Sequence, residues 1–422
     1  MPGDKSISHR IAMLAATAIG RSTVRGFLTS EDCMHTLRAM TSLGADSRLS
    51  DTGELEILGT GGKVLQPAGL LDLGNSGTGI RLLTGLLSGH AIEATLTGDP
   101  SLCSRPMGRI ADPLRTMGAR IELTGARGTA PIRMCGGRLH GLDYEMPVAS
   151  AQVKSALLLA ALWAEGETRI LERLPTRDHT ERLFTGLGIP IHIEGRTITL
   201  TGGGAAGPGH AGGEWTVPGD FSSAAFWLVA AASRPDADIT VMGVGLNPRR
   251  TALLDVLRRM GAEVHVTPKT GSERWEPYGD ITVRGAALHG TEVGGDEVPN
   301  LIDELPLIAV AGALSEGDTI VRDAAELKVK ESDRISSITG NLQRIGVEIE
   351  ARPDGFLIHG RAHLNSDARM DSFGDHRIAM AMTILAGAAP GPTTICGIDC
   401  IDTSYPGFWD DLKTLGGVAS AW

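Results

Sequence analysis

One pattern recurs six times along this chain and restricts its fold more than anything in its composition. In each copy an amphipathic stretch ends in an apolar residue, two variable residues, a second apolar residue and a glycine. The copies are Met40-Thr41-Ser42-Leu43-Gly44, Leu114-Arg115-Thr116-Met117-Gly118, Phe184-Thr185-Gly186-Leu187-Gly188, Leu257-Arg258-Arg259-Met260-Gly261, Leu342-Gln343-Arg344-Ile345-Gly346 and Leu412-Lys413-Thr414-Leu415-Gly416. A glycine there fits the left-handed residue that closes a helix. In most copies a short alternating strand follows, such as Arg120-Ile121-Glu122-Leu123 or Glu263-Val264-His265-Val266. Between these helices runs a second series, rich in Ala and Leu and polar only at its start, beginning near Lys5, Ser76, Ser150, Ser222, Asp303 and Asp375. Stretches such as Ala156-Leu157-Leu158-Leu159-Ala160-Ala161-Leu162 are apolar on nearly every side, so these helices are expected to be buried.

The unit is a buried helix, a strand, a surface helix and more strand. It returns about every 70 to 85 residues, too long for a solenoid repeat. A chain of 422 residues exceeds what one core usually holds. Six units therefore suggest two domains of three, with helices inside and sheets outside. The boundary is expected after the glycine-rich stretch 202–213, near Pro218-Gly219-Asp220, giving domains 1–217 and 218–422.

A formal net charge of −11 argues against general nucleic-acid binding. No run resembles a membrane span of about 20 apolar residues, and Met1-Pro2-Gly3-Asp4-Lys5 lacks a secretory pattern. Five cysteines, Cys33, Cys103, Cys135, Cys396 and Cys400, are odd in number and not spaced for metal. Reduced thiols and a cytoplasmic location are expected.

The polar starts of the buried helices stand out against that acidic background. A helix N-terminus carries partial positive charge and needs partners for its first N–H groups. Six such ends near one cleft would suit phosphates and carboxylates. The residues there are Lys5, Ser6 and Arg10; Asn75, Ser76, Gly77, Thr78 and Arg81; Ser150 and Gln152; Asp220 and Ser222; Asp303 and Glu304; and Asp375, His376 and Arg377. Arg105, Arg177, Lys330 and Arg334 add cations from adjoining segments, and the last two, four apart, would share a face on a helix. Singly, the Ser and Asp residues could be ordinary caps and the arginines solvated. Their recurrence at equivalent places in the repeats favours a shared anion site.

At these residues the chain resembles the 5-enolpyruvylshikimate-3-phosphate synthase family. The matching motifs are Pro2-Gly3-Asp4-Lys5-Ser6-Ile7-Ser8-His9-Arg10, Gly74-Asn75-Ser76-Gly77-Thr78-Gly79-Ile80-Arg81, Arg105-Pro106-Met107-Gly108, Ser150-Ala151-Gln152, Lys330-Glu331-Ser332-Asp333-Arg334 and Asp375-His376-Arg377. The resemblance implies an α/β fold, a two-domain inside-out α/β barrel with three βαβαββ repeats per domain and a site in the cleft between domains. It implies that shikimate 3-phosphate is held by Lys5, Ser6, Arg10, Ser150, Ala151, Gln152, Thr176, Arg177, Asp303 and Lys330. Phosphoenolpyruvate would meet Lys5, Gly77, Arg105, Gln152, Arg334 and Arg377. Asp303 would be the base toward the hydroxyl and Glu331 the acid toward the methylene, with Lys5 stabilising charge. No metal or organic cofactor is implied, the protein is expected to be a monomer, and domain closure would exclude water.

The family normally carries a strand before the Pro-Gly-Asp-Lys motif, which here begins at Met1, so one repeat of the second domain is expected to be incomplete or differently closed. Leu82 and the lysine-free surroundings of Thr403-Ser404-Tyr405-Pro406 resemble a glyphosate-tolerant branch, whereas Gly77 leaves room for the inhibitor; intermediate inhibition by glyphosate follows. Two other readings compete. The UDP-N-acetylglucosamine enolpyruvyl transferase shares the repeats but has a loop cysteine five residues before its Arg-Pro pair, whereas Cys103 lies two before Arg105 and Lys5 is followed by Ser6 rather than Asn. A non-catalytic anion-binding relative would have no need of the Asp303 and Glu331 pair.

Overall fold

All six repeat glycines, Gly44, Gly118, Gly188, Gly261, Gly346 and Gly416, adopt left-handed backbone, with φ between +72° and +113° in the computed structural model, which describes residues 1–270, 275–361 and 363–420. The residue after each glycine returns its N–H to the carbonyl five positions back, as in Ala45 to Met40 and Val347 to Leu342, at 2.9–3.2 Å. This is the Schellman closure, which a β-carbon would strain at the glycine. The helices it ends are Glu31–Ser42, Gly108–Thr116, His179–Gly186, Ala252–Arg259, Arg334–Arg344 and Phe408–Thr414.

The second series forms the buried helices Lys5–Thr17, Gly77–Ser88, Ala151–Ala161, Phe221–Ala232, Leu305–Leu314 and His376–Ala386. Five are capped by the residue before them: Asp4, Ser76, Ser150, Asp220 and Asp375 each accept a first-turn N–H. The Leu305 helix instead has Pro306 in its first turn, which removes one of the N–H groups that would need a partner.

Packing divides the chain into two units. One holds residues 3–218 with Trp275 and Glu276; the other holds Met1, Pro2, residues 219–270 and the described part of 277–420. The division is thus not a single cut. Trp275 stacks on Trp215, with ring centroids 4.8 Å apart.

In the first unit three four-stranded sheets share one order. A first strand pairs parallel with a second, and two antiparallel strands follow: 71–72, 93–97, 132–135 and 120–123 in one sheet, and 143–145, 167–171, 197–201 and 191–194 in another. In the third, Glu214–Thr216 supplies the parallel edge strand to Arg21–Arg25, from nearly two hundred residues away. In the second unit one sheet is complete, with strands 292–293, 318–321, 355–359 and 348–352. A second has three strands, 238–245, 278–284 and 263–268, and its open edge meets Gly219 as a single parallel bridge to Val244. Asp220 N–H there donates to the Pro2 carbonyl at 2.8 Å. In the third, the described residues form a parallel pair, Arg369–Asp371 with Thr394–Cys396.

Each unit has its own apolar core around its buried helices. The Gly77 and Ala151 helices approach closely because Gly85 has no side chain; a β-carbon there would stand 2.2 Å from the Ala156 carbonyl oxygen. Among the described residues no helix is long and apolar enough to cross a membrane.

Candidate active site

In the first unit the N-terminal turns of three buried helices adjoin. His9, on the Lys5 helix, reaches the cap of the Gly77 helix, its Nε2 3.3 Å from Ser76 Oγ, while its Nδ1 lies 2.8 Å from Thr36 Oγ1 of the Glu31–Ser42 helix. Burial first, then the charges of Lys5 and Arg10, push this imidazole well below the ordinary histidine pKa, so it stays neutral. The Gly77 and Ala151 helices meet through Arg81 Nη1, which donates to Gln152 Oε1 at 2.5 Å, and Gln152 Nε2, which donates to Thr78 Oγ1 at 3.0 Å.

Cations surround these ends. Lys5 Nζ lies 3.1 Å from Asp32 Oδ2. Arg105 is almost fully buried and donates to Asn75 Oδ1, while Asn75 in turn donates to Asp99 Oδ2 at 2.7 Å. Gly77 lies beside that guanidinium: a β-carbon would come within 2.8 Å of Arg105 Nη1 and 3.5 Å of Arg81 Nη1. Arg10, also buried, donates to the Ser6 carbonyl, to Thr180 Oγ1 and to Ser155 Oγ at 2.7–2.8 Å. Burial lowers its pKa to about 10, against the pull of Glu181 and Asp4 and with the push of Arg177, so it remains charged at neutral pH.

Ser150 spends its hydroxyl on the Val153 N–H at 3.4 Å, and Ala151 opens the helix behind it. Thr176 and Arg177 lie in the segment before the His179–Gly186 helix; Thr176 is buried and Arg177 half-buried. Of the first-unit residues expected from sequence, the structure thus brings Arg81 and Arg105 to Gly77, bonds Gln152 to Arg81, and joins Arg10 to the segment that follows Arg177.

The second unit gathers its residues on one guanidinium. Arg334, 1% exposed, donates from Nε to Asp375 Oδ2 at 2.7 Å, from Nη1 to Asp303 Oδ1 at 3.1 Å and from Nη2 to Glu331 Oε2 at 2.7 Å. Burial disfavours the charge, but Asp375, Glu331 and Asp303 outweigh it and hold the pKa above the ordinary arginine value. Lys330 Nζ and Arg377 Nε lie 3.6 and 3.7 Å from the same Asp303 oxygen, and Arg377 Nη1 donates to the Asp303 carbonyl at 3.1 Å. Arg377 Nη1 also lies 3.6 Å from the fully buried Glu304, to which Ser222 donates while accepting from Arg250 Nη2 at 2.7 Å.

One expectation needs correcting. Lys330 and Arg334 do not share a helix face, because the helix begins at Arg334, capped by Asp333, and Lys330 ends the short 3₁₀ turn before it. Asp333 takes the first-turn N–H of Ser336, which fixes the start there. Both cations still reach Asp303.

Sequence reasoning missed Asp32, which reads as an ordinary first-turn acid of a surface helix. It also missed Lys154, Glu172 and Glu181, although a lysine inside so apolar a helix signals a buried partner. Chemically, the second unit offers two carboxylates fixed by a shared cation, and the first offers cations and helix N-termini suited to phosphate and carboxylate groups.

A sequence model of the family described as EPSP synthase (3-phosphoshikimate 1-carboxyvinyltransferase) matches residues 1–412. A relative from Akkermansia muciniphila named 3-phosphoshikimate 1-carboxyvinyltransferase is 49% identical over 421 residues, covering 98% of this chain and 95% of its own length. One of the same name from Desulforamulus reducens is 47% identical over 416 residues, covering 98% and 96%. The solved EPSP synthase from Acinetobacter baumannii aligns with a TM-score of 0.84 at 43% identity, over 98% of this chain and 94% of that one. The enolpyruvyl transferase NikO from Streptomyces tendae aligns at 0.80 over 99% and 94%, but at 20% identity it shares the fold alone.

Proposed function

Because the chain belongs to the EPSP synthase family, and so transfers the enolpyruvyl group of phosphoenolpyruvate to the 5-hydroxyl of shikimate 3-phosphate with release of phosphate, we propose that Asp303 and Glu331 carry its proton transfers. The relatives favour this reaction over transfer to UDP-N-acetylglucosamine. Asp303 accepts the proton of the 5-hydroxyl as that oxygen attacks C2 of phosphoenolpyruvate, while Glu331 gives a proton to the C3 methylene. The product is a tetrahedral intermediate that still carries the phosphate. Glu331 then takes a proton back from the new methyl group as the C2–O bond to phosphate breaks. The enol ether re-forms, and the proton held by Asp303 leaves with the phosphate.

One observation carries this assignment: the two carboxylates meet a single buried guanidinium, at 3.1 and 2.7 Å. An acid and a base locked to one rigid fork keep their spacing while the substrate changes shape. Three cations, Lys330, Arg334 and Arg377, lie within 3.7 Å of the same Asp303 oxygen and fix its position. Arg334, saturated by carboxylates in this structure, holds them in place and becomes a phosphoenolpyruvate contact when Glu331 takes up its proton. Lys5, Gly77, Arg105, Gln152 and Arg377 complete the phosphoenolpyruvate side. Lys5, Ser6, Arg10, Ser150, Ala151, Gln152, Thr176, Arg177 and Lys330 hold shikimate 3-phosphate. Glyphosate competes with phosphoenolpyruvate at the Gly77 side, and the protein works as a cytoplasmic monomer.

The test is phosphate release by Asp303→Asn and Glu331→Gln, with shikimate 3-phosphate affinity measured alongside. Rates fall about 10³-fold, the scale of losing a positioned proton-transfer group, while that affinity stays within a few-fold. A Glu331→Gln variant keeping a third of the wild-type rate would remove Glu331 from the chemistry.

A further inference from the structure

Lys154 is fully buried, and no step of the reaction requires it. Its ammonium lies 2.9 Å from Glu172 Oε1 and 2.7 Å from Glu181 Oε1, both also buried, and donates to the Thr176 carbonyl at 3.3 Å. Glu172 Oε1 in turn accepts from the Thr176 N–H at 3.0 Å and from Thr176 Oγ1 at 2.5 Å. Three polar groups of one residue, its N–H, its hydroxyl and its carbonyl, are therefore fixed by two ionised side chains.

We propose that Lys154 and Glu172 are positioning residues that set the Thr176–Arg177 corner to receive the phosphate of shikimate 3-phosphate. The inference rests on the reading of that substrate given above and deepens it. Burying three charges in a helical core is a poor route to stability, since apolar side chains of like volume serve at least as well. What the ion cluster supplies is direction: a charge-assisted grip that holds Thr176, and hence the backbone leading into Arg177, in one orientation.

The other end of the segment is held too. Thr180 Oγ1 accepts from Arg10 and donates to Ser155 Oγ at 2.8 Å, and His179 Nδ1 lies 2.7 Å from Glu276 Oε1. Arg177 and Arg10 sit near enough for the Arg177 charge to lower the Arg10 pKa. Thr176 is buried and Arg177 only half-buried beside it, so loosening Thr176 frees the backbone that aims the Arg177 side chain.

The experiment compares wild type, Glu172→Ala and Glu172→Gln by steady-state kinetics, and by titration with shikimate 3-phosphate and with shikimate, which lacks the phosphate. In Glu172→Ala, KM for shikimate 3-phosphate rises about tenfold or more and kcat stays within about threefold, while shikimate affinity is unchanged. Glu172→Gln keeps an oxygen for the Thr176 donors and recovers most of the loss. If Glu172→Ala does not fold, Glu172→Asp, too short to span Thr176 and Lys154 together, is read the same way. Equal weakening toward both ligands, or no weakening, overturns the proposal. A wild-type protein that fails to bind shikimate 3-phosphate instead overturns the functional reading beneath it.

Discussion

Acidification should weaken the first unit through histidines that the fold keeps neutral, and His90 gives the cleanest measure. The residue is 7% exposed, its ring centroid lies 4.4 Å from that of Trp163, and its Nε2 has no hydrogen-bond partner among the described residues. Burial pushes its pKa down to about 4, whereas the unfolded chain titrates near 6.5. Between those values the unfolded state binds a proton that the folded state refuses. Stability is therefore complete above about pH 6.5, falls as the pH drops toward 4, and levels off below. From pH 7.5 to 5 the linkage costs on the order of 2 kcal/mol for this one residue. Burial lowers His9 and His210 as well, so both add with the same sign.

Urea unfolding followed by tryptophan fluorescence, at pH 7.5, 6 and 5, measures the loss. His90→Phe retains the packing on Trp163 and cannot titrate. Its stability at pH 7.5 should equal or exceed that of wild type, and its loss down to pH 5 should be smaller by about 2 kcal/mol. Equal losses in the two proteins, within about 0.5 kcal/mol, would falsify the claim that His90 is held neutral by burial.

Two glycine substitutions separate catalysis from packing. In Gly77→Ala the new methyl meets Arg105 Nη1 at 2.8 Å, the movable tip of a side chain, so stability should change by less than about 1 kcal/mol. KM for phosphoenolpyruvate should rise roughly tenfold and glyphosate competition weaken further, because the displaced guanidinium is the proposed phosphoenolpyruvate contact; unchanged kinetics would remove Arg105 from that role. In Gly85→Ala the β-carbon meets the Ala156 carbonyl oxygen at 2.2 Å, and backbone cannot yield so cheaply. A loss of about 1–3 kcal/mol in urea unfolding is expected, as for other overpacked cores, and a neutral result would mean the two helices do not approach so closely.

The repeat was legible because its signal is local. A glycine forced to positive φ and an apolar pair closing the last turn leave the same mark wherever the helix recurs, and all six marks correspond to Schellman closures. Strand pairing was not legible in the same way. Nothing near Glu214-Trp215-Thr216 announces Arg21–Arg25 as its partner, because parallel pairing carries no turn between the strands. Nor does any composition change announce that Trp275 and Glu276 pack with residues 3–218. Lys154 could have been found: a lysine amid Val153, Ala156 and Leu157 in a helix apolar all round has to take its counter-charge inside. Its partners Glu172 and Glu181, lying in segments with ordinary polar neighbours, carried no such flag.

Caps and site residues were harder to tell apart, and the reason is structural. Asp375 Oδ1 accepts the Arg377 N–H at 2.9 Å, as a cap does, and also lies 3.3 Å from Arg334 Nη2. Its Oδ2 takes Arg334 Nε at 2.7 Å and Ser332 Oγ at 3.3 Å. One carboxylate thus starts the helix that bears Arg377 and anchors the guanidinium that holds Asp303 and Glu331. Asparagine at this position could still accept the Arg377 N–H, so the helix start would persist. Arg334 would lose one of the charges that balance its burial, and its grip on both carboxylates would loosen. The residue type that a cap requires is less demanding than the one this site requires, and the difference lies in a charge that the sequence pattern of caps does not specify.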